Sequence, residues 1–334
     1  MQNIINGLPI AAVILLLAVG FAFLVKGADF FVEGSSSIAK KLKVPPIIIG
    51  LTIVAMGTSL PETAVSVTAS LVQNNELAVS NVVGSNIFNL MFVIGVCSIL
   101  TPIMVQKATV VRDIPLSLGC ALVLLVLGIS GLGDKTGMTL GHADGVIFLI
   151  VFAGYIFTMV RSAMKARAAG QKVEIEGVEE CDNMKELSYG KSILFLIVGA
   201  AAIAFGGDLT VDTASRIAIE LGMSQTLVGL TIVSIGTSLP ELVTSVVAAR
   251  KNEVDMAVGN AVGSNIFNIL MVLGISSAIS PVALIWENII DIVLLMVFSV
   301  MVWIFAGTRK KIERKEGIIM VVVYLVYCAY IIAR

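Results

Sequence analysis

Glu62 and Glu241 are the residues whose type and setting could do chemistry. Each follows a proline inside Gly-Thr-Ser-Leu-Pro-Glu, and each is followed by Gly-Ser-Asn-Ile-Phe-Asn, at 84–89 and at 263–268. The stretches 50–90 and 229–269 align without a gap at a constant offset of 179 residues (Gly50 to Gly229), and about 24 of their 41 columns are identical. The repeat keeps its polar residues better than its apolar ones. Core packing tolerates apolar swaps and has no use for a repeated carboxylate. On a helix, Ala55, Thr58, Ser59, Glu62 and Ser66 fall on one face, and Ser85 and Asn89 lie one turn apart. These are oxygen donors without sulfur or imidazole, the set a hard cation prefers; calcium takes about six to eight such oxygens, and sodium is similar in size. Pro61 lacks an N–H and crowds the carbonyl one turn back, which frees carbonyls around 55–57; Pro240 does the same around 234–236.

The elements that must position these groups are membrane helices. The chain has 334 residues, 57% of them hydrophobic and 13% charged, where a soluble chain carries about 25% charged residues. Nearly every window of about twenty residues is apolar enough to cross a bilayer. The expected fold class is an all-α polytopic membrane protein of ten transmembrane helices. The first helix runs from about 9 to beyond 32, interrupted by Lys26-Gly27-Ala28-Asp29, and the next four cover about 47–72, 78–100, 112–129 and 146–160. A Gly-rich turn is expected at 131–145. The second five cover about 192–221, 226–249, 257–279, 289–306 and 318–332. The division is therefore a first five-helix repeat at 1–160, a charged cytoplasmic linker at 161–190 and a second repeat at 191–334, with Asp208 matching Asp29 at the same offset.

Loop charges set the orientation. Five helices per repeat make the second copy enter the membrane the opposite way round, so basic residues should fall in alternate loops. They do: Lys40, Lys41 and Lys43; Lys107 and Arg112; Arg161, Lys165 and Arg167; Arg250 and Lys251; and Arg309, Lys310, Lys311, Arg314 and Lys315. Of the intervening loops only that between the fourth and fifth helices holds a cation, Lys135. Both termini are expected outside the cytoplasm, the first 25 residues have no basic leader, and the turns 73–76 and 252–255 fall on opposite faces. The repeats are inverted, and inverted repeats with interrupted helices place a site near the bilayer midplane.

At that depth a charged carboxylate costs several kcal/mol or more unless it is paired or coordinating. No Lys or Arg lies at similar depth in the second, third, seventh or eighth helix, so a cation from solution is the natural partner. Two converging carboxylates suit a divalent ion. Single Ser and Thr residues in membrane helices more often serve packing. Gly84 and Gly263 read as points of close helix approach, and Asp113 and Asp291 as interfacial residues near helix ends. Asp29 and Asp208 could line a path, cap a helix break or face water. Cys97, Cys120, Cys181 and Cys328 have no ligand spacing, and His142 is the only histidine, which leaves no material for zinc or acid–base chemistry. A net charge of −1 leaves no basic domain for nucleic acid.

The doubled Gly-Thr-Ser-Leu-Pro-Glu and Gly-Ser-Asn motif resembles the alpha repeats of the calcium/cation antiporter superfamily, and among these the microbial sodium/calcium exchangers. The resemblance covers nearly the whole chain. It implies four central helices that hold ions while the long first and sixth helices slide across them. It further implies that Glu62 and Glu241 bind calcium with the carbonyls of Thr58 and Thr237. The carbonyls of Ala55 and Ser234, with Ser59, Ser238, Ser85 and Ser264, would complete sodium sites, and Asn89 and Asn268 would sit at the centre. Some relatives carry Asp at one of these last positions; Asn at both implies no potassium requirement.

The expected activity is exchange of sodium for calcium across the cytoplasmic (inner) membrane by alternating access, with both ions sharing Glu62 and Glu241. Calcium, sodium and the lipid bilayer are the expected partners, no cofactor is needed, and the chain is expected to act as a monomer and not as an enzyme. A proton/calcium exchanger would protonate the same carboxylates, but the serine cage suits sodium better. An intramembrane acidic protease would need a catalytic dyad, and the Pro-Glu setting and cation-type oxygens argue against one.

Overall fold

A backbone in hydrocarbon has only its own carbonyls to bond, so each long apolar stretch closes into a helix. The computed structural model describes residues 5, 7–71, 75–130, 138–168, 187–223, 228, 232 and 234–333. Among these, eight helices are long and apolar enough to cross a membrane, and a bent pair raises the number to nine. Of the expected seventh helix, at 226–249, only residues 228, 232 and those from 234 onward are described, so the expected count of ten is not reached there.

The elements run as follows. Helix α1 is Ile10–Leu42. Next come α2, Pro46–Ile49, a π-helical turn at Gly50–Val54, α3, Ala55–Thr58, and α4, Leu60–Leu71. Helix α5, Asn75–Ile87, passes through a π-helical turn at Phe88–Val93 into α6, Ile94–Leu100. Strand β1 is Ile103–Met104, α7 is Ile114–Ser130, β2 is Thr139–Leu140 and α8 is His142–Ala168. The later residues form α9, Tyr189–Glu220, then α10, Ser234–Gly236, and α11, Leu239–Arg250. Helix α12, Val254–Phe267, passes through a π-helical turn at Asn268–Val272 into α13, Leu273–Ile279. Strand β3, Val282–Ala283, α14, Trp286–Arg309, β4, Lys311–Ile312, and α15, Arg314–Ala333, complete the order.

The expected boundaries need several corrections. Helix α1 is unbroken through Lys26-Gly27-Ala28-Asp29, because Asp29 is ion-paired with Lys26 and Lys251 and Gly27 packs against another helix. Helix α8 continues to Ala168 and α9 begins at Tyr189, so the 161–190 linker is partly helical; 169–186 lie outside the described residues. Of the 131–145 turn, 131–137 lie outside the described residues and α8 already starts at His142. The fold is also not wholly helical. Strand β1 pairs antiparallel with β4 and β2 with β3, each pair joining an early segment to a late one.

Burial separates the centre from the rim. In the apolar 18-residue segments of Ala78–Leu100 and Val254–Ile279, 78% of the residues are buried, against 22% in that of α1 and 33% in that of α9. Helices α1 and α9 lie antiparallel along a seam of small residues, Gly20, Gly27 and Gly34 facing Gly206, Gly199 and Ser192. An added Cβ on Gly27 would lie 2.9 Å from the Ile203 nitrogen, and one on Gly206 2.7 Å from the Leu24 nitrogen. Backbones this close are typical of small-residue crossings in membranes. Gly263 also marks a close approach, to Leu51 and Ala55, as expected; Gly84 does not, having open space at its Cβ position.

Candidate ion-binding site

Prolines place both glutamates beside helix breaks. Pro61 withholds the N–H that would bond the Gly57 carbonyl, Ser59 turns out of helical geometry (φ −82°, ψ 10°), and the chain bends by 47° between Pro46–Thr58 and Leu60–Leu71. Ser238 has nearly the same geometry (φ −93°, ψ 5°) one residue before α11. Glu62 and Glu241 thus stand in the first turn of α4 and α11, and both are 0% exposed.

Each carboxylate is held by hydroxyls from both repeated stretches. Glu62 Oε1 lies 3.1 Å from Ser238 Oγ and 3.3 Å from Ser85 Oγ. Glu241 Oε1 lies 3.0 Å from Ser59 Oγ and 3.3 Å from Ser264 Oγ. Every one of these contacts has its counterpart at the offset of 179. Thr58 donates to Asn260 Oδ1 at 3.0 Å and Thr237 to Asn81 Oδ1 at 3.3 Å. The amide nitrogens of the same asparagines donate within their own stretch, Asn81 to Ser66 at 3.0 Å and Asn260 to Ser245 at 2.9 Å. Asn86 and Asn265 donate to each other's backbone carbonyl, at 3.2 and 3.1 Å.

Within this network four buried acceptor atoms remain without a hydrogen-bond partner: Glu62 Oε2, Glu241 Oε2, Asn89 Oδ1 and Asn268 Oδ1. Asn89 Nδ2 reaches Asn265 Oδ1 at 3.3 Å, and Asn268 Nδ2 reaches Ser85 Oγ at 3.2 Å and Asn86 Oδ1 at 3.0 Å. Both asparagines stand at the start of the π-helical turns in the two most buried spans, and such turns recur at functional sites. An orphaned buried acceptor costs about 1–3 kcal/mol, more when it is charged. Acceptor atoms alone cannot satisfy one another; a cation, a proton or a water can, and two carboxylates among the acceptors favour a cation. Among the described residues no three His, Cys, Asp or Glu gather as metal ligands; the donor set is two carboxylates among neutral oxygens, which fits a hard cation and not zinc.

Ten of the twelve expected residues, Glu62, Glu241, Thr58, Thr237, Ser59, Ser238, Ser85, Ser264, Asn89 and Asn268, are joined in this network. The Ala55 carbonyl accepts from Ser59 N at 3.0 Å and borders the network, 3.3 Å from Thr58 Oγ1. Ser234 opens α10, and only its backbone is described. Sequence reasoning passed over Asn81, Asn260, Asn86 and Asn265, although each pair is identical across the repeat. Asp113 is buried and bonded to Arg112 at 2.7 Å.

A cavity of about 560 Å3 leads toward this network past Pro61, Thr237 and Pro240, with Asp208 and Asp212 of α9 in its wall.

Fold and site together define a multi-pass membrane transporter of cations. The chain belongs to the sodium/calcium exchanger protein family, which matches residues 12–161 and 191–333. It is 33% identical over 337 residues to the sodium/calcium exchanger MaX1 of Methanosarcina acetivorans, covering 94% of this chain and 96% of that one. It is 36% identical over 269 residues to the inner membrane protein YrbG of Escherichia coli, covering 80% and 79%. A solved structure of the sodium-calcium exchanger NCX_Mj, soaked with sodium and strontium, superposes with a TM-score of 0.81 at 31% identity, covering 96% of this chain and 99% of that one.

Proposed function

We propose that this chain exchanges sodium for calcium across the cytoplasmic membrane by alternating access, acting as a monomer. Its ten helices form two inverted five-helix repeats, 1–160 and 191–334, with both termini outside the cytoplasm. The alternation of basic loops and the contacts that recur at the offset of 179 support the inversion. Glu62 and Glu241 hold calcium; Ser59, Ser238, Ser85 and Ser264 contribute to sodium sites with the carbonyls of Thr58, Thr237, Ala55 and Ser234; Asn89 and Asn268 sit between them. The observation that carries this reading is the set of four orphaned acceptor oxygens in a cage whose hydroxyls come from both stretches. Sodium and calcium compete for the same two carboxylates, so one expels the other. An empty site leaves two buried carboxylates without counter-charge, which makes unloaded crossing costly and couples the fluxes.

The test is uptake of radioactive calcium into vesicles preloaded with sodium, with potassium or with an imposed pH gradient. Uptake should follow sodium. Uptake that follows the pH gradient and ignores sodium would replace this reading with proton/calcium exchange.

A further inference from the structure

The two mouths of the site are built differently. The seam pairs Gly20 with Gly206, Gly27 with Gly199 and Gly34 with Ser192, so Asp29 and Asp208, matched in sequence, sit roughly 15 Å apart along α1 and α9 at 1.5 Å per residue. Asp208 lines the open cavity with Val65, Gly207, Val211 and Thr237. The residues in the same columns at the other mouth, Thr244, Ala28, Val32 and Thr58, are all 0% exposed. The glycine at each mouth is covered by a side chain of the long helix beside it, Gly57 by the Phe31 ring and Gly236 by Val211, so the difference between the mouths lies in the column of Phe31, which in the second repeat holds Thr210.

The closed mouth also carries a charge clasp. Lys251 caps the C-terminus of α11 and reaches α1, its Nζ 3.3 Å from Asp29 Oδ1 and 3.1 Å from the Asp29 carbonyl. Lys26 approaches the other carboxylate oxygen at 3.7 Å. Lys251 thereby ties the α1–α9 pair to the helix that bears Glu241. In the first repeat the column of Lys251 is Val72, and that of Lys26 in the second is Phe205. Neither cation of the clasp is duplicated.

We infer that Lys251 and Asp29 form a one-sided latch that holds shut the mouth on the basic-loop face and biases the transporter toward the conformation whose other mouth is open. Lys251 is a positioning residue and touches no ion. The inference rests on the alternating-access reading above. When the α1–α9 pair shifts, the clasp parts on one side with nothing equivalent to form on the other, so the two conformations differ in energy by the ion pair. Thr244 reports the shift: its hydroxyl is buried without a partner here, and its column matches cavity-lining Val65.

The test is the rate at which Thr244→Cys reacts with a membrane-impermeant maleimide in inside-out vesicles, with Cys181 and Cys328 replaced by Ser. Reaction requires the latched mouth to open. Lys251→Met, which keeps the bulk without the charge, should raise the rate about fivefold, the equilibrium effect of one partly exposed ion pair. Asp29→Asn, which keeps the shape without the charge, should raise it by a similar factor, and the double variant should exceed neither single one by more than about twofold. An unchanged rate in Lys251→Met, or single effects that multiply in the double variant, overturns the latch. Sodium-driven calcium uptake by the parent vesicles is measured in parallel. Its failure would sink the exchange reading, whereas the rate ratio bears on the latch alone.

Discussion

The seam between α1 and α9 can be tested by a pair of alanines. At Gly199 a new Cβ would sit 2.6 Å from the Phe31 nitrogen and 2.8 Å from the Gly27 carbonyl oxygen, both backbone atoms that no rotamer change can move. Ordinary contact begins near 3.4 Å, so α9 must back away from α1 by about 0.8 Å, opening the seam on both sides of the contact. Overpacking of this kind costs about 1–3 kcal/mol, and alanine's better helix propensity returns at most about 1 kcal/mol. Gly207→Ala is the control: its nearest neighbours would be the Pro240 side chain at 3.6 Å and Leu24 at 3.9 Å, ordinary contacts. In detergent, Gly199→Ala should lower the midpoint of thermal unfolding by a few degrees and slow sodium-driven calcium uptake, while Gly207→Ala should melt at or above the parent. Equal midpoints for all three, or a larger loss in Gly207→Ala, would refute the close-packed seam.

Other outcomes follow from the site. Glu62→Gln and Glu241→Gln should each abolish calcium uptake with near-normal unfolding midpoints; parental uptake in either variant removes that residue from the cage. Ser59→Ala and Ser238→Ala each delete a hydroxyl on the carboxylate of the other stretch, a charge-assisted bond of about 1.5–3 kcal/mol. Their effects on calcium competition against radioactive calcium should match each other within about twofold, and a large disparity would contradict the reciprocal geometry. Asn81→Ala and Asn260→Ala each delete a buried amide that bonds a threonine of the other stretch and a serine of its own, and should each cost about 2 kcal/mol of stability, read as a lowered melting midpoint.

Much of the site was legible because a membrane interior penalises polar residues, so a duplicated Pro-Glu inside apolar helices has few structural excuses. The bend at Ser59 was legible from Pro61 for the same local reason. Asn81 and Asn260 were not, since an amide in a membrane helix usually reads as interhelical bonding, and only the third dimension brings each beside a threonine from the other stretch. The dip in hydropathy at Lys26 and Asp29 suggested a break, yet Asp29 finds its partner in Lys251, 222 residues away, which no local window contains. Strands of two residues are too short to show alternation. The π-helical turns leave no periodic trace, because one extra residue in a turn only shifts the phase of an already apolar helix.

Exchanging hydroxyl donors between the two stretches has a consequence for inheritance. A substitution at Ser238 starves Glu62, and one at Ser59 starves Glu241, so neither copy can mutate at these columns on its own account. The columns bonded across the interface, Ser59/Ser238, Asn81/Asn260, Ser85/Ser264, Asn86/Asn265 and Asn89/Asn268, are accordingly identical, while Met56/Ile235 and Val65/Thr244 have already parted. Where no such exchange ties the copies together they are free to differ, as they do at Lys251 opposite Val72.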